Sequence, residues 1–355
     1  MVKFFDAFDS CSRAAFDGEL YCHNLADEVT TSHSIPTIPI GNIEMPMLGL
    51  VVNDQQEQHI RVDTTMMPLC MHSKTVAIES GVLREDLFLC SKLWPVDFGS
   101  GVRKACKLSC EKLRTDYLGR YYLSFLFLIV FFPNFITDLY MTHFPVVPDW
   151  FTDAKKTREE TWRQLELLFD EGIIRSIGVS NYTEDDLDEL MEYCSVKPHV
   201  NQYEFHPWYD PKSLRIYCEE NGIVFTGYCP IAKGKILDDP ILVSIANKYD
   251  KTPAQICLRW SIENGVPAIP KSKEKHRIAE NRDVFDFCLA PEDMNALSVL
   301  QSNPKKLVKF DDLQEKFCLP DGYKLRGRVY GVPVGPLRLR TVSCSLSIIP
   351  SQAVF

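Results

Sequence analysis

The stretch Ile173-Ile174-Arg175-Ser176-Ile177-Gly178-Val179-Ser180-Asn181 decides the predicted fold. Residues 174–179 are apolar and β-branched enough to form a strand that is buried on both faces. An amphipathic helix pattern at 157–169 precedes this strand, and Gly172 stands where the C-terminal cap of a helix belongs. A helix followed by a buried strand with a polar exit is typical of parallel α/β proteins, in which that exit faces the ligand.

Two short polar residues, Ser180 and Asn181, follow the strand, and they have two interpretations. Both types are favoured N-caps, so one of them could cap the helix predicted at 183–193. Alternatively, both side chains contact a ligand at the edge of the sheet. The stretch by itself does not decide between these alternatives.

The composition is that of a soluble globular protein. The chain has 355 residues, of which 45% are hydrophobic and 25% are charged. Its formal net charge of -9, without a basic run, argues against binding to nucleic acid or to an anionic membrane. Thirteen cysteines without CxxC pairs predict neither a metal site nor a disulfide framework. Neither end matches a signal peptide, lipidation or retention motif, so we expect a reducing, cytoplasmic location.

Strand and helix patterns alternate along most of the chain. A hairpin is predicted around Gly41-Asn42 within residues 35–50. Strands are predicted at 47–52, 59–65, 87–93, 136–143, 174–180, 200–205, 224–230 and 267–271. Helices are predicted at 71–80, 101–113, 157–169, 183–193, 211–221 and 239–263. About eight βα units over roughly 250 residues predict an α/β fold of the (β/α)8 TIM-barrel type. A doubly wound open sheet is the alternative, but no GxGxxG motif follows the first strand.

The predicted barrel spans residues 35–322, between an unassigned extension at 1–34 and a loose C-terminal tail at 323–355. Its first units are irregular, because residues 53–58 are too few for the crossover between two parallel strands. Residues 119–137 resemble an insertion, and their apolar run at 121–132 is shorter than the ~20 residues that span a bilayer. We therefore do not expect a membrane anchor.

The insertion has two explanations. One is that residues 119–137 are a translated intron and that coding segments are missing nearby, which an mRNA encoding these residues in frame would contradict. The other is a diverged protein that has kept its ligand site and lost turnover.

Polar or ionisable residues follow seven consecutive predicted strands, at the end where barrels of this type carry their active sites. Each has an ordinary structural explanation, such as a helix cap or a hydrogen-bonded core histidine, but their joint occurrence predicts a site. They are Asp63, Lys92, His143, Ser180, Asn181, Gln202, Tyr228, Cys229, Lys271 and Ser272.

The motifs around these residues resemble those of the aldo-keto reductases, which are NADP(H)-dependent carbonyl reductases on a (β/α)8 barrel. The resemblance covers residues 35–300 and is strongest from Asp138 onward. Its motifs are Arg61-Val-Asp63-Thr, Lys92-Leu-Trp94, Asp138-Leu-Tyr-Met-Thr-His143-Phe144, Ile177-Gly-Val-Ser180-Asn181, Asn201-Gln202, and Ile269-Pro-Lys271-Ser272 with Arg277-Ile-Ala-Glu280-Asn281.

The resemblance implies a role for each matched residue. It makes Asp63, Lys92 and His143 catalytic, and it puts Trp94 and Phe144 at the substrate. The residues expected to bind NADPH or NADP+ are Ser180, Asn181 and Gln202 at the carboxamide, Tyr228 stacked on the ring, Cys229 in place of a serine, and Lys271, Ser272, Arg277, Glu280 and Asn281 around the adenosine and its 2′-phosphate. Two cations at Lys271 and Arg277 suit that phosphate. The expected partner is a small carbonyl compound, and the expected state is a monomer.

One departure from the family affects the chemistry. Hydride transfer leaves negative charge on the carbonyl oxygen, which a tyrosine protonates in the family. The matching position here holds Pro68, and no tyrosine lies between Asp63 and Lys92. Losing a general acid costs about 10²–10⁴-fold in rate. Two functions are therefore open: an NADPH-dependent carbonyl reductase, or an NADP(H)-binding scaffold or sensor with little turnover.

Overall fold

A computed structural model describes residues 35–49, 88–112, 137–272, 274–308 and 325–326 of the chain. Several predictions lie outside these residues: Asp63, Pro68, the strand at 59–65, the helix at 71–80, the short connection at 53–58, the extension at 1–34 and the apolar run at 121–132.

The described chain begins with the predicted hairpin. Strand β1 (Thr37–Ile40) pairs antiparallel with β2 (Ile43–Pro46), and the turn between them contains Gly41 at φ 60°. This left-handed conformation is accessible to glycine at no steric cost. Ile40 and Met45 are buried against the lower part of the sheet, so the hairpin covers the end opposite the strand exits.

Six parallel strands form one sheet, and their order in space is their order in sequence. They are β3 (Cys90–Leu93), β4 (Leu139–Thr142), β6 (Ile177–Ser180), β7 (Val200–Glu204), β8 (Val224–Tyr228) and β9 (Ala268–Ile269). A doubly wound sheet reverses its strand order at a switch point. No reversal occurs among the described strands, so the alternative of a doubly wound sheet is wrong for this part of the chain.

The first predicted strand lies beside the last one. Leu48 forms a parallel bridge with Ala268, supported by hydrogen bonds from Gly49 N to Ala268 O and from Ala268 N to Met47 O, both 2.9 Å. Neighbouring first and last strands are what closure of a barrel requires. The predicted strand at 59–65 falls between residue 48 and β3 in sequence and lies outside the described residues.

Helices connect the strands. Those named α1 to α8 are Val102–Lys112, Ala154–Asp170, Glu184–Met191, Lys212–Glu220, Pro240–Tyr249, Pro253–Glu263, Lys275–Arg282 and Pro291–Val299. One predicted helix, at 239–263, is wrong as a single element. The chain breaks at Asp250, which adopts φ 52°, and Thr252 then caps a new helix that starts with Pro253.

The stretch around β6 folds as its sequence predicts. Trp162, Leu165 and Leu168 of α2 are buried against the sheet, and Gly172 follows the helix at φ 72°. Gly178 lets the sheet pack closely, since a Cβ there would lie 2.9 Å from both Met141 Cγ and Val200 O.

Two observations concern the ends of predicted segments. Thr137, the last residue of the proposed insertion, is also part of the strand predicted at 136–143, and it is buried and donates its Oγ1 hydrogen to Leu89 O at 3.0 Å. In the C-terminal tail, β10 (Leu325–Arg326) pairs antiparallel with β5 (Val147–Pro148) in the loop after β4.

Candidate active site

Lys92 and His143 stand at the ends of the neighbouring strands β3 and β4. Burial lowers the pKa of Lys92, and the nearby thiols of Cys90 and Cys229 partly offset this effect. Burial also lowers the pKa of His143 well below its usual range, and the positive charge of Lys92 adds to the effect. The two groups are therefore neighbours, with a neutral imidazole at neutral pH.

Three aromatic rings form one wall of this site. His143 stacks on Trp94 with centroids 4.4 Å apart and on Phe144 with centroids 4.6 Å apart. Trp94 and Phe144 lie 6.1 Å from each other. The imidazole is thus held in orientation by two apolar surfaces that exclude water, and both of these rings are the predicted substrate contacts.

Ser180 and Asn181 do not cap the next helix. Thr183 does so, in a capping box with Asp186. Ser180 Oγ instead donates to Gln202 O at 2.9 Å, and Asn181 Nδ2 donates to His143 O at 3.0 Å. Asn181 adopts φ 64°, a left-handed conformation that asparagine tolerates better than most residues. The capping interpretation of this pair is therefore wrong.

Tyr228 joins this network from β8. Its hydroxyl donates to Asn181 Oδ1 at 2.7 Å. Burial raises the pKa of Tyr228 well above its usual value, and the charge of Glu204 adds to the effect. Tyr228 on β8 contacts Asn181, which directly follows β6, and Lys92 on β3 interacts with Cys229, which directly follows β8. The strand ends therefore converge on one mouth.

Gln202 lies on β7 between these strands, and only 5% of its surface is exposed. Its Oε1 atom is buried and has no hydrogen-bond partner among the described residues. A buried acceptor without a donor is costly. The –NH2 group of a carboxamide would supply such a donor, so the residues present fit a nicotinamide at this position.

The loop after β8 is strained. Three residues other than glycine have positive φ: Cys229 at 56°, Ala232 at 48° and Lys233 at 55°. Such conformations cost of order 1–3 kcal/mol each and persist where the surroundings determine them. Cys229 lies at the start of this loop, where it is half-buried and its thiol is close to Lys92.

Of the residues predicted to bind the adenosine end, Lys271 and Ser272 precede α7 and Arg277 lies in its first turn, whereas Glu280 and Asn281 lie in its last turn. Lys271 and Arg277 are exposed, and Ser272 Oγ accepts a hydrogen bond from Glu274 N at 3.2 Å just before the helix begins. Arg277, Glu280 and Asn281 share one helix face, since they are three and four residues apart. A helix N-terminus with exposed cations favours an anion such as a phosphate.

A buried carboxylate at the end of β7 was not predicted. Glu204 is fully buried and accepts hydrogen bonds from Leu307 N at 2.5 Å, Val308 N at 2.8 Å and His206 Nε2 at 3.0 Å. It points to the same face of the strand as Gln202, two residues earlier, because side chains alternate along a strand. The spacing of two residues between Gln202 and Glu204 could have indicated from the sequence that both side chains face the same site.

The structure brings the predicted residues of the nicotinamide end and the aromatic wall together, and it leaves one catalytic residue undescribed. Asp63 lies outside the described residues, so its position relative to Lys92 remains a prediction. Within the described ranges, no group of three or more His, Cys, Asp or Glu side chains could hold a metal ion. Of the helices in that part of the chain, none is long and apolar enough to cross a membrane.

Comparisons with known proteins point to one family. The family described as "Aldo/keto reductase family" matches residues 73–301, a range that includes Lys92 and His143 but starts after Asp63 and Pro68. The chain is 46% identical over 314 residues to an uncharacterised oxidoreductase of Caenorhabditis elegans, covering 84% of this chain and 92% of that relative. It is 41% identical over 236 residues to the glyoxal reductase of Bacillus subtilis, covering 66% of this chain and 76% of that relative.

Solved structures show the same similarity. An aldo-keto reductase of Bombyx mori in complex with NADP superposes with a TM-score of 0.66 at 28% identity, covering 79% of this chain and 97% of that one. An aldo/keto reductase of Brucella melitensis gives a TM-score of 0.61 at 33% identity, covering 75% of this chain and all of that one.

Proposed function

This chain belongs to the aldo/keto reductase family, and on that premise we propose that it reduces aldehyde or ketone carbonyls to alcohols with NADPH. The observation that supports this most is the convergence of Lys92, His143, Asn181 and Tyr228, from four different strands, on one mouth. The bound nicotinamide would supply the hydride.

The substrate carbonyl would lie against the wall of Trp94, His143 and Phe144. The neutral imidazole of His143 can donate one hydrogen bond to the carbonyl oxygen without a full positive charge. Lys92, as an ammonium ion in a site with little water, stabilises negative charge that develops on that oxygen. Asp63, as implied by the family, would hold the Lys92 side chain.

The nicotinamide carboxamide would contact Ser180, Asn181 and Gln202, and the unpartnered Gln202 Oε1 supports this assignment. Tyr228 would offer its ring face, and Cys229 would contact the cofactor next to it. At the other end, Lys271, Ser272 and Arg277 would hold the 2′-phosphate, while Glu280 and Asn281 would contact the adenosine. This set of contacts favours NADPH over NADH, because NADH lacks the phosphate.

The proton source distinguishes this chain from its family. With Pro68 at the tyrosine position, Lys92, His143 or a water molecule must deliver the proton, and we expect slow turnover. Because Pro68 cannot donate a proton, a second function is also open: an NADP(H)-binding scaffold or sensor that reduces carbonyls poorly or not at all.

We also propose that the sheet closes into a (β/α)8 barrel over residues 35–322, with residues 1–34 and 323–355 as appended segments. The adjacency of Leu48 and Ala268 supports closure. The proposed setting is a cytoplasmic monomer.

The test is a pair of measurements on the purified full chain. NADPH is titrated by fluorescence, and loss of the nicotinamide absorbance is then followed with a panel of small aldehydes and ketones. The reductase is supported by tight binding and carbonyl-dependent turnover. Binding without turnover on any carbonyl would favour the scaffold, and absence of binding would reject both functions.

A further inference from the structure

The C-terminal strap, defined as residues 303–308, crosses the top of β7. Lys305 lies over the Trp208 ring at 3.9 Å, and Lys305 N donates to Trp208 O at 3.0 Å. Lys306 Nζ donates to Tyr203 OH at 2.8 Å. Tyr203 faces the helix layer and Glu204 faces the barrel interior, so the strap passes from the outside of the sheet to its mouth.

One buried carboxylate, that of Glu204, holds the end of the strap at Leu307 and Val308. Both oxygens of Glu204 are used: Oε1 accepts from Leu307 N and Oε2 accepts from Val308 N. Burial tends to raise the pKa of Glu204, but the hydrogen bonds from His206, Leu307 N and Val308 N outweigh this effect and lower it. Glu204 therefore remains a carboxylate at neutral pH, and hydrogen bonds to a charged acceptor are the strong kind.

The strap is in turn joined to the strained loop after β8. Lys233 Nζ, within the loop of residues 229–234, donates to Leu307 O at 3.2 Å. The Leu307 carbonyl thus accepts a hydrogen bond from Lys233, and the Leu307 amide donates one to Glu204. Glu204 is also the register partner of Tyr228, the residue that precedes this loop. Glu204 consequently holds the strap through its carboxylate and lies beside the end of β8 through its backbone, and the strap contacts the loop at Lys233.

A loop with three left-handed residues needs its surroundings to maintain it. Among the described residues, the strap is a part of those surroundings that comes from outside the six-stranded sheet. Without the bonds at Glu204, the amides of Leu307 and Val308 would lose their acceptor, and the Leu307 carbonyl that accepts from Lys233 would be held less firmly. Cys229 and Tyr228 lie at the base of the same loop, where the cofactor is proposed to bind.

We propose that Glu204 is a positioning residue, which holds the strap in place and thereby keeps the loop of residues 229–234 in the conformation that binds the cofactor. This inference rests on the proposed function for the identity of the ligand. Glu204 touches neither the reacting atoms nor the cofactor in this account. Its effect should therefore appear in the affinity for the cofactor and in its rate of release, and much less in the rate of turnover at saturation.

The chain offers a matched control. Glu166 is another buried carboxylate that accepts two successive backbone amides, Ser195 N at 2.5 Å and Val196 N at 2.8 Å. These amides precede β7, at the opposite end of the strand from Glu204. Replacing Glu204 by glutamine turns one of its acceptors into an –NH2 group that faces an N–H donor. In Glu166→Gln the –NH2 group would face Arg163 instead, because both amides share Oε1. Both variants remove a buried charge that accepts backbone amides, but only the first lies next to the strap and the loop.

The experiment compares the wild type with Glu204→Gln, Glu166→Gln and Lys233→Met. We measure the Kd of NADPH by fluorescence titration, its release by stopped flow, and hydrogen exchange of the Leu307 and Val308 amides. We expect Glu204→Gln to weaken NADPH binding about tenfold and to speed its release, as loss of one charge-assisted hydrogen bond predicts. Exchange at both amides should accelerate. Lys233→Met should shift binding in the same direction by a smaller factor, and Glu166→Gln should leave it within about twofold.

The outcomes separate the two proposals. A wild-type chain that fails to bind NADPH rejects the proposed function, and the cofactor role of Glu204 falls with it. Wild-type binding with equal affinities for Glu204→Gln and Glu166→Gln rejects the role of Glu204 alone. Should Glu204→Gln fail to fold, Lys233→Met decides the matter, because it cuts the link between strap and loop at an exposed side chain. An unchanged Kd in that variant overturns the inference.

Discussion

The imidazole of His143 illustrates how burial sets chemistry at the scale of one residue. Packed on Trp94 and Phe144 and close to Lys92, it has a pKa well below the usual range, so it stays neutral where an ordinary histidine begins to titrate. Burial also lowers the pKa of Lys92, so this ammonium group loses its proton at a lower pH than an exposed lysine does. In the proposed site, His143 is therefore a neutral hydrogen-bond donor and Lys92 is the cation.

The first prediction concerns the pH profile of carbonyl reduction. Because the His143 pKa is lowered, kcat/KM should show no inflection near the ordinary imidazole value of about 6.5. Because the Lys92 ammonium is required and its pKa is also lowered, activity should fall on the alkaline side before an ordinary lysine value of about 10.4 is reached. A profile that rises or falls around 6.5 and disappears in His143→Gln would contradict this account of the imidazole.

The second prediction concerns Pro68. Restoring a phenol at the family's acid position should increase kcat/KM, by up to about 10²–10⁴-fold if the acid alone is missing. The measurement is steady-state reduction of a small aldehyde by Pro68→Tyr, with Pro68→Phe as the control that adds the ring without the acidic proton. Equal activity of the two variants would show that the missing proton donor is not what limits turnover.

At the scale of elements, the packing of β6 between its neighbours depends on Gly178. An added Cβ meets Met141 Cγ and the Val200 carbonyl at 2.9 Å, and the carbonyl is backbone that cannot simply rotate away. Strands β4 and β7 would have to separate locally.

The third prediction follows from that contact. Gly178→Ala should lower the free energy of unfolding by about 1–3 kcal/mol, the usual cost of overpacking a core, as measured by urea denaturation. Gly101→Ala is the control, because its Cβ would meet nothing closer than 3.6 Å and its φ is not in the left-handed region. If both variants unfold at the same urea concentration, then close packing of the strands does not require a glycine at position 178.

The elements also show which features the sequence could reveal. The strand around Val179 and the rim residues Lys92, His143 and Asn181 follow from buried runs with polar exits, a local pattern. The break at Asp250 could also have been predicted, since Thr252-Pro253 is typical of a helix start. The continuous apolar periodicity over residues 239–263 favoured a single helix instead. The hydrogen bond from Leu307 N to Glu204 could not have been predicted, because the two residues are 103 positions apart and residues 303–308 show no hydrophobic periodicity.

At the scale of the whole molecule, the two ends of the proposed cofactor site lie on different parts of the chain. The nicotinamide end is built from β6, β7 and β8, whereas the phosphate end lies at the N-terminus of α7 after β9. The C-terminal part contacts the mouth at two places, through the strap over β7 and through β10 beside the loop after β4. If the cofactor binds as proposed, its binding should depend on the completed fold and not on one segment.

The fourth prediction is that Arg277 supplies most of the discrimination between the two dinucleotides. Arg277→Leu should weaken NADPH binding by about 10–100-fold, because a charge-assisted contact to phosphate is lost, and leave NADH binding nearly unchanged. Fluorescence titration of both dinucleotides measures this. Arg282→Leu, at the far end of the same helix, is the matched control.

The central claim is that the strand ends and α7 together bind a phosphorylated nicotinamide dinucleotide. Its most direct test is titration of the purified full chain with NADPH and, in parallel, with NADH, followed by nicotinamide fluorescence. The account predicts saturable binding with a clear preference for NADPH. Equal affinities for the two dinucleotides, or no binding of either, would contradict it.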